Sequence, residues 1–479
     1  MIDKADKRPK IPMAVPSARA AQAEPPARWM VFALLAGLFF FLVIIKLGAP
    51  VILDRNISAP QDFSSAFYFS WPPSWGLWMF PPVALAGLFA IDWKGWKYHW
   101  VLALPLLWLG WELLAATHTI NAALTMLTLV HFAICGALFY LGYFARKEMA
   151  RSWPIWAGMG LALCWGMRAG MEQHFGGLEA TRKMYVATMA RAGVDAKALA
   201  DGTPLTQEQA RALIKEDIDP KAVADPDFWK RINDNRIFST FGNPNTFAGG
   251  LILLLPLTLV FVWRLTPKVR RPMRILFVLI LGWCGLACLY WSGSKAGWLV
   301  ALAIGLAALG HSALPLKWKR WVILGALAVG IAGFVFKYAS YFQKERNSVG
   351  ARFAYWRAAL IVIDHHPLLG TGPGTFQIPY AQIKRPGDEM ARLCHNDYLE
   401  QASDSGVLGF ITYTGMVLAL LSMLYRYSTG ETPINWFNFA VWLGLAGLCL
   451  HSIVDFHLYV ASLAWPLFFL FGWLMRADN

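Results

Sequence analysis

Apolar residues run in long blocks along this chain, each closed by a short polar stretch, and the blocks are too long for the strands of a soluble domain. A helix needs about 20 residues to cross about 30 Å of hydrocarbon, and about twelve blocks approach that length. They lie at residues 29–47, 73–91, 100–115, 120–144, 153–167, 241–263, 275–291, 296–314, 321–336, 407–425, 436–451 and 459–475. The pattern predicts an all-α, polytopic membrane protein with about twelve transmembrane helices. Two longer polar stretches interrupt it. The chain therefore divides into a polar arm (1–28), helices one to five (29–167), a first large loop (168–240), helices six to nine (241–336), a second large loop (337–405), and helices ten to twelve with a short tail (406–479). The first block is expected to be a retained helix, since a Pro/Ala-rich polar arm precedes it and no small-residue cleavage site follows.

Composition agrees with this class: 57% of residues are hydrophobic and only 15% charged, more apolar surface than a soluble fold of this length hides. Charge then sets the orientation. With the N-terminus inside, the arm, the even-numbered connections and the tail hold 21 basic and seven acidic residues, a balance of +14 that equals the formal charge of the whole chain. The short outside turns carry little beyond Arg55 and Lys295, as the positive-inside rule expects. Both termini are thus expected in the cytoplasm and both large loops outside. The basic pI is a topology signal, aided by anionic inner-leaflet lipids, and no argument for nucleic acid. Five of the six cysteines fall in apolar helices, where Cys behaves as a small hydrophobe, and no pair has zinc-site spacing.

Polar residues near the outer helix ends are the first candidates for chemistry. Lys46 can snorkel, and Glu112 is either functional or hydrogen-bonded to a neighbouring helix. The first large loop balances eleven acidic against eleven basic residues between Arg168 and Arg236, so it is no basic funnel. Short soluble helices are expected in it, one opened by a capping box from Thr206 to Gln209. The loop ends in Asn235-Arg236 and then Phe241-Gly242-Asn243-Pro244-Asn245, which places Arg236 at the outer surface with the amides of Asn243 and Asn245 about one turn below. Either these residues form a ligand site, or they start a helix and anchor it to lipid phosphate. Lys295 stands alone among small residues in the turn Ser292-Gly293-Ser294-Lys295, as a ligand contact or a snorkelling anchor.

The second large loop is the densest polar island. Residues 352–363 read as an amphipathic helix with Arg352 and Trp356 on one face and Arg357 beside them, stopped by Pro367. The glycines of residues 369–374 lack the strand, the following helix and the Lys-Ser/Thr of a nucleotide loop, and are expected to form a turn back towards the membrane. His395 follows, just before a helix expected to start with the capping pair Asp397 and Glu400. A histidine fixed at a helix start is suited to taking a proton from a hydroxyl near neutral pH. His365 and His366 are read as loop histidines, and Cys394 gains no role from being adjacent to His395.

Taken together, Arg236 with Phe241-Gly-Asn-Pro-Asn, the Ser-Gly-Ser-Lys turn, Arg352-x-x-x-Trp356, Pro-Leu-Leu-Gly-x-Gly-Pro-Gly-x-Phe, and His395-Asn396-x-x-Leu399 followed by Asp404-x-Gly406-x-x-Gly409 resemble the bacterial O-antigen ligase and polymerase superfamily. Lys295 stands where that family often has Arg, and Asp404 where it often has Glu; lysine keeps the charge but loses the bidentate fork. The resemblance implies a GT-C-like glycosyltransferase of the bacterial inner membrane, metal-independent and without cofactor, with its active site at the periplasmic face. Its donor would be an undecaprenyl-diphosphate-linked glycan and its acceptor lipid A-core (a ligase) or a second lipid-linked glycan (a polymerase). His395 would be catalytic; Arg236, Arg352, Arg357 and Lys295 would hold the diphosphate; Asn243, Asn245, Asn396 and Asp404 would support them. A transporter of the same lipid is a different class, which repeated halves and midplane charges would favour.

Overall fold

The structure, a computed structural model, describes residues 27–60, 66, 70–91, 99–144, 152–200, 203–216, 218, 220–223, 229, 233–344, 347–386, 388–430 and 434–475. We number its helices of seven or more residues. In the first third are α1 (Ala27–Lys46), α2 (Trp75–Ala90), α3 (Ala103–Ala115), α4 (Ala122–Phe144) and α5 (Trp153–Glu172). The first polar stretch holds α6 (Leu178–Arg191) and α7 (Gln207–Lys215); then come α8 (Pro244–Leu265), α9 (Arg271–Ser292), α10 (Lys295–His311) and α11 (Leu316–Lys344). The second polar stretch holds α12 (Asn347–His365) and α13 (Gln377–Ile383), followed by α14 (Asp397–Thr429), α15 (Trp436–His451) and α16 (Ala461–Met475). No strand forms among the described residues, only an isolated bridge between Pro50 and Val460.

Among the described residues, seven helical segments are long and apolar enough to cross a membrane: Arg28–Lys46, Trp100–His118, Ala122–Phe144, Pro244–Leu265, Arg271–Ser292, Leu316–Lys337 and Asp397–Thr429. Four shorter helices, α2, α10, α15 and α16, are apolar as well. Each apolar block read from the sequence is helical over most of its length. The N-terminal arm falls outside the described residues.

A helix in hydrocarbon gains nothing from burial against another apolar surface, so close packing and interhelical hydrogen bonds must hold the bundle. Both are visible around α16. All 15 of its residues are buried, against α4, α1 and α15. A methyl group added at Gly472 would collide with the Phe139 carbonyl, and one at Gly142 with that of Phe469, so α4 and α16 meet backbone to backbone. Trp465 stacks on Phe39 with ring centroids 5.7 Å apart. Its indole donates to His131 Nδ1 (3.0 Å), which makes Nδ1 an acceptor and leaves Nε2 to donate to the Leu458 carbonyl (2.7 Å). Glu112 is fully buried and accepts from Ser405 Oγ at 2.7 Å, the neighbouring-helix alternative for this residue. By contrast Trp283, Val329 and Phe336 point outward, on faces suited to lipid tails.

Around the polar island the structure corrects three expectations. The stretch after residue 336 stays helical to Lys344, so the island begins as a helix extension. A short helix, α13, does follow the glycine turn. The helix after His395 is capped by Asn396, whose side chain accepts from the amides of Tyr398 and Leu399, and Asp397 is its first helical residue. Asparagine accepts these bonds without placing a charge, and it frees Asp397 to receive the Leu458 amide at 2.9 Å. The capping box from Thr206 to Gln209 is present as expected.

At Gly406 the helix α14 breaks: φ is +72° and ψ −178°, a conformation closed to residues with a side chain. A break frees backbone groups that must find partners if they are buried. The glycine turn supplies them. The amides of Thr371 and Gly372 donate to the carbonyls of Ser403 (3.2 Å) and Asp404 (2.8 Å), and the Val407 amide donates to Pro367 O (2.8 Å). The Trp111 indole donates to Ser405 O (2.7 Å).

Candidate functional site

Arg236 leaves the first loop at half-buried depth, where its Nε donates to the Ser292 carbonyl (2.8 Å) and one Nη to Asn245 Oδ1 (3.0 Å). That posture depends on Gly293, which sits at φ +65°; a Cβ there would approach Arg236 Nε to 2.9 Å. The guanidinium lines a cavity of about 230 Å³ between the starts of α8, α10 and α12, together with Asn245, Lys295, Arg352, Trp356 and His451. Three cations from three separate segments face one space, and no carboxylate is among the lining residues. Like charges so placed repel, and an anion relieves the repulsion. Within this wall Arg352 Nε and Trp356 Nε1 are buried with no protein partner, donors aimed where a ligand can accept.

Lys295 is the first residue of α10, fixed there because Ser294 caps the helix by accepting from the Gly297 amide. A helix N-terminus adds partial positive charge to the same wall. One further cation was not singled out from the sequence: Lys337 sits over the Tyr290 ring, 3.3 Å from its centroid, and feels the charges of both Arg236 and Lys295. In the sequence it is simply the first residue of the second large loop, just past an apolar block.

Not every candidate joins this cavity. Arg357 is exposed and does not line it, because five residues at about 100° each turn it well away from Arg352. Asn243 caps α8 by accepting from the amides of Asn245 and Thr246, and so holds Asn245 in place from below. Asp404 is fully buried behind the site: its Oδ2 accepts from the Gly374 amide (2.7 Å) and the Tyr459 hydroxyl (3.0 Å). The glycine turn therefore cradles a protein carboxylate. His365 and His366 are exposed at the end of α12.

His395 stands just before the Asn396 cap at φ +56°, a left-handed conformation uncommon for residues other than glycine. Its ring stacks on Tyr355 of α12, one turn from Arg352, and meets the edge of Phe456 at 4.6 Å between centroids. With 24% of its side chain exposed, it points Nδ1 at Asp455 Oδ1, 3.4 Å away. Asp455 is itself buried. Burial alone would raise its pKa, but the nearby imidazole of His395, with the charges of His457 and Arg352, outweighs it and holds the carboxyl far below its usual range. Beyond it lies a buried pair, His451 Nδ1 to His457 Nε2 at 2.5 Å, and His451 Nε2 reaches Ser294 Oγ at 3.3 Å. Ser294, His451 and His457 thus form a hydrogen-bonded chain from the Lys295 turn, and His457 feels the charge of Asp455. Burial lowers the pKa of His457 to about 4, against the opposing pull of Asp455.

Cys394, next to His395, is fully buried; its amide donates to Glu400 and its thiol to Asn396 O (3.2 Å). Burial pushes the thiol pKa well above normal, which disqualifies it as a nucleophile. Among the described residues no group of three His, Cys, Asp or Glu side chains is arranged to hold a metal ion.

Chemically, the site is a cavity lined by three cations beside an imidazole that faces a buried carboxylate. The matching family model, described as O-Antigen ligase, covers residues 280–414. A similar protein is an uncharacterized protein of Haemophilus influenzae, 26% identical over 161 residues, which is 28% of this chain and 39% of the relative's length. Residues 280–414, the part of the chain that matches the family model, carry Lys295, Arg352 and His395, and over that part the chain is similar to O-antigen ligases.

Proposed function

We propose that this chain is an inverting glycosyltransferase that moves a glycan from undecaprenyl diphosphate to an acceptor hydroxyl, the acceptor being lipid A-core. The observation that carries the reading is the convergence of Arg236, Lys295 and Arg352 on one cavity beside His395. The bundle has about twelve membrane-crossing helices in this reading, with the cavity at the periplasmic face of the inner membrane.

The acceptor oxygen attacks the anomeric carbon from the side opposite the diphosphate. The carbon–oxygen bond to the diphosphate breaks with its electron pair, and undecaprenyl diphosphate leaves. The hydroxyl proton passes to His395 Nε2, since Asp455 faces Nδ1 and fixes that nitrogen as a donor. The charge that develops on the leaving diphosphate falls among fixed cations, a role that divalent metals serve elsewhere and that can be the largest contribution to the rate. Arg236 needs no reorganisation for this, because Ser292 and Asn245 already hold it.

The test is transfer by the purified chain from a defined lipid-linked glycan, in excess EDTA, with mass spectrometry of the product. Transfer to lipid A-core is expected to persist in EDTA, and to fall by about 10² to 10⁴ in His395→Ala. Product built only on a second lipid-linked glycan would make the chain a polymerase. Full activity in His395→Ala would remove that residue from the chemistry.

A further inference from the structure

At the far end of α8, about 30 Å from the Arg236 cavity by helix rise, the structure forms a second pocket. It lies between the last turns of α8, the first turns of α9 and the start of α15, and encloses about 540 Å³. Its floor is apolar, from Leu259, Val260 and Val278, and its rim carries Arg264 and Arg274 with an indole on either side, Trp263 and Trp436.

The two arginines are held in place. Arg274 lies over the Trp263 ring, 4.0 Å from its centroid, and donates one Nη to the Trp263 carbonyl. Its Nε is buried with no protein partner. Arg264 donates to Asn435 Oδ1 at 3.1 Å while its guanidinium lies 5.6 Å from the Phe437 ring centroid. That asparagine also caps α15, so the arginine is tied to a fixed point. No carboxylate lines the pocket among the described residues. Next to it, α9 starts at Arg271, and Arg270 before it gives no side-chain cap, so the first amides and the dipole of α9 lie beside the pocket. Two fixed cations above an apolar floor, flanked by tryptophans, match one kind of molecule in a membrane: a phosphate headgroup with attached acyl chains.

We propose that this pocket binds an anionic phospholipid, its phosphate between Arg264 and Arg274 and one acyl chain along Leu259, Val260 and Val278. The linker between α8 and α9 adds Lys268, Arg270 and Arg271, which raise the local concentration of anionic lipid but do not line the pocket. Specificity resides in the two arginines, and the site is independent of the glycan chemistry across the membrane.

The experiment is native mass spectrometry of the full chain released from nanodiscs of phosphatidylglycerol and phosphatidylcholine in equal amounts. The wild type is expected to retain phosphatidylglycerol over phosphatidylcholine. Arg264→Gln and Arg274→Gln should each weaken retention about fivefold, whereas Lys268→Gln with Arg271→Gln should change it less than twofold. Equal loss in the linker variant would reduce the effect to diffuse charge and overturn the proposal, as would equal retention of both lipids by the wild type. Displacement of the lipid by millimolar inorganic phosphate would overturn the acyl part. Should the arginine variants fail to fold, the wild-type preference and the phosphate competition still decide.

Discussion

Asp455→Asn removes one charge from the most buried part of the site and leaves its shape nearly unchanged. In the folded chain the carboxylate lies 3.4 Å from His395 Nδ1. At an effective dielectric of about 20, a full imidazolium at that distance gains about 5 kcal/mol from it. If about half is realised while the proton is partly transferred, the barrier rises by about 2.5 kcal/mol, a fall in kcat of about 70-fold. In the proposed reading the donor is held elsewhere, by Arg236, Lys295 and Arg352, so KM for the lipid-linked donor should change less than about threefold. Single-turnover transfer at saturating donor measures the first quantity and its concentration dependence the second. An asparagine can also offer its amide to Nδ1 and favour the wrong tautomer, which lowers kcat further and leaves KM untouched. A variant with wild-type kcat, or one whose loss lies wholly in KM, would refute the assignment of Asp455 as the group that positions His395.

Three other outcomes follow from the same geometry. Arg352→Lys keeps the charge but loses the planar fork and should lower kcat/KM by about tenfold or more, while Arg357→Ala, outside the cavity, should stay within about twofold of wild type in the same assay. Gly293→Ala should cost about 1–2 kcal/mol of stability for the left-handed backbone, read as a lower thermal midpoint. It should also weaken donor binding, because the new methyl displaces Arg236 from Ser292 and Asn245. The third concerns pH. His457 binds its proton near 6.5 in the unfolded chain but only at about 4 in the fold, so stability present above 6.5 is lost as pH falls through about 4. The loss is about 3 kcal/mol, and Asp455, whose pKa is also depressed, adds to it at still lower pH. Thermal unfolding in detergent between pH 7 and 4 measures it; a flat profile would contradict the burial of His457.

Much of this architecture was legible in the apolar blocks because membrane helices are specified by length and hydropathy, which are local properties. The same holds for the Thr206 capping box and for Arg352, whose face is set by helical periodicity. Two kinds of feature were not legible. Arg357 belongs to the expected helix and lies near Arg352 in sequence, yet it points away, since adjacency in sequence is not adjacency in angle. Asp455, His451 and His457 are separated from His395 by more than 50 residues, and their partnership exists only after α14 and α15 pack. Nothing local marks Asp455 as the residue facing an imidazole. Asp404 illustrates the converse: its motif was readable, but whether a carboxylate faces substrate or is cradled by Gly374 depends on the break at Gly406.

The burial of α16 also has a consequence for how the chain is made. The helix that touches α1, α4 and α15 at the centre of the bundle is the last of the sixteen to be synthesised. Until it arrives, α4 and α1 face a void where Trp465 and Phe468 will sit, and the Pro50–Val460 bridge cannot close. The helices made earlier already pack on one another, α1 on α2 and α5 and α8 on α9 and α15, but the face that α16 covers stays open until it arrives. A chain halted at residue 460 would keep Arg236, Lys295, Arg352, His395 and Asp455 and still lack the buried helix that packs on α1, α4 and α15. Such a product lacks one surface that three helices share, so damage near the C-terminal end of this bundle should be as severe as damage at the site.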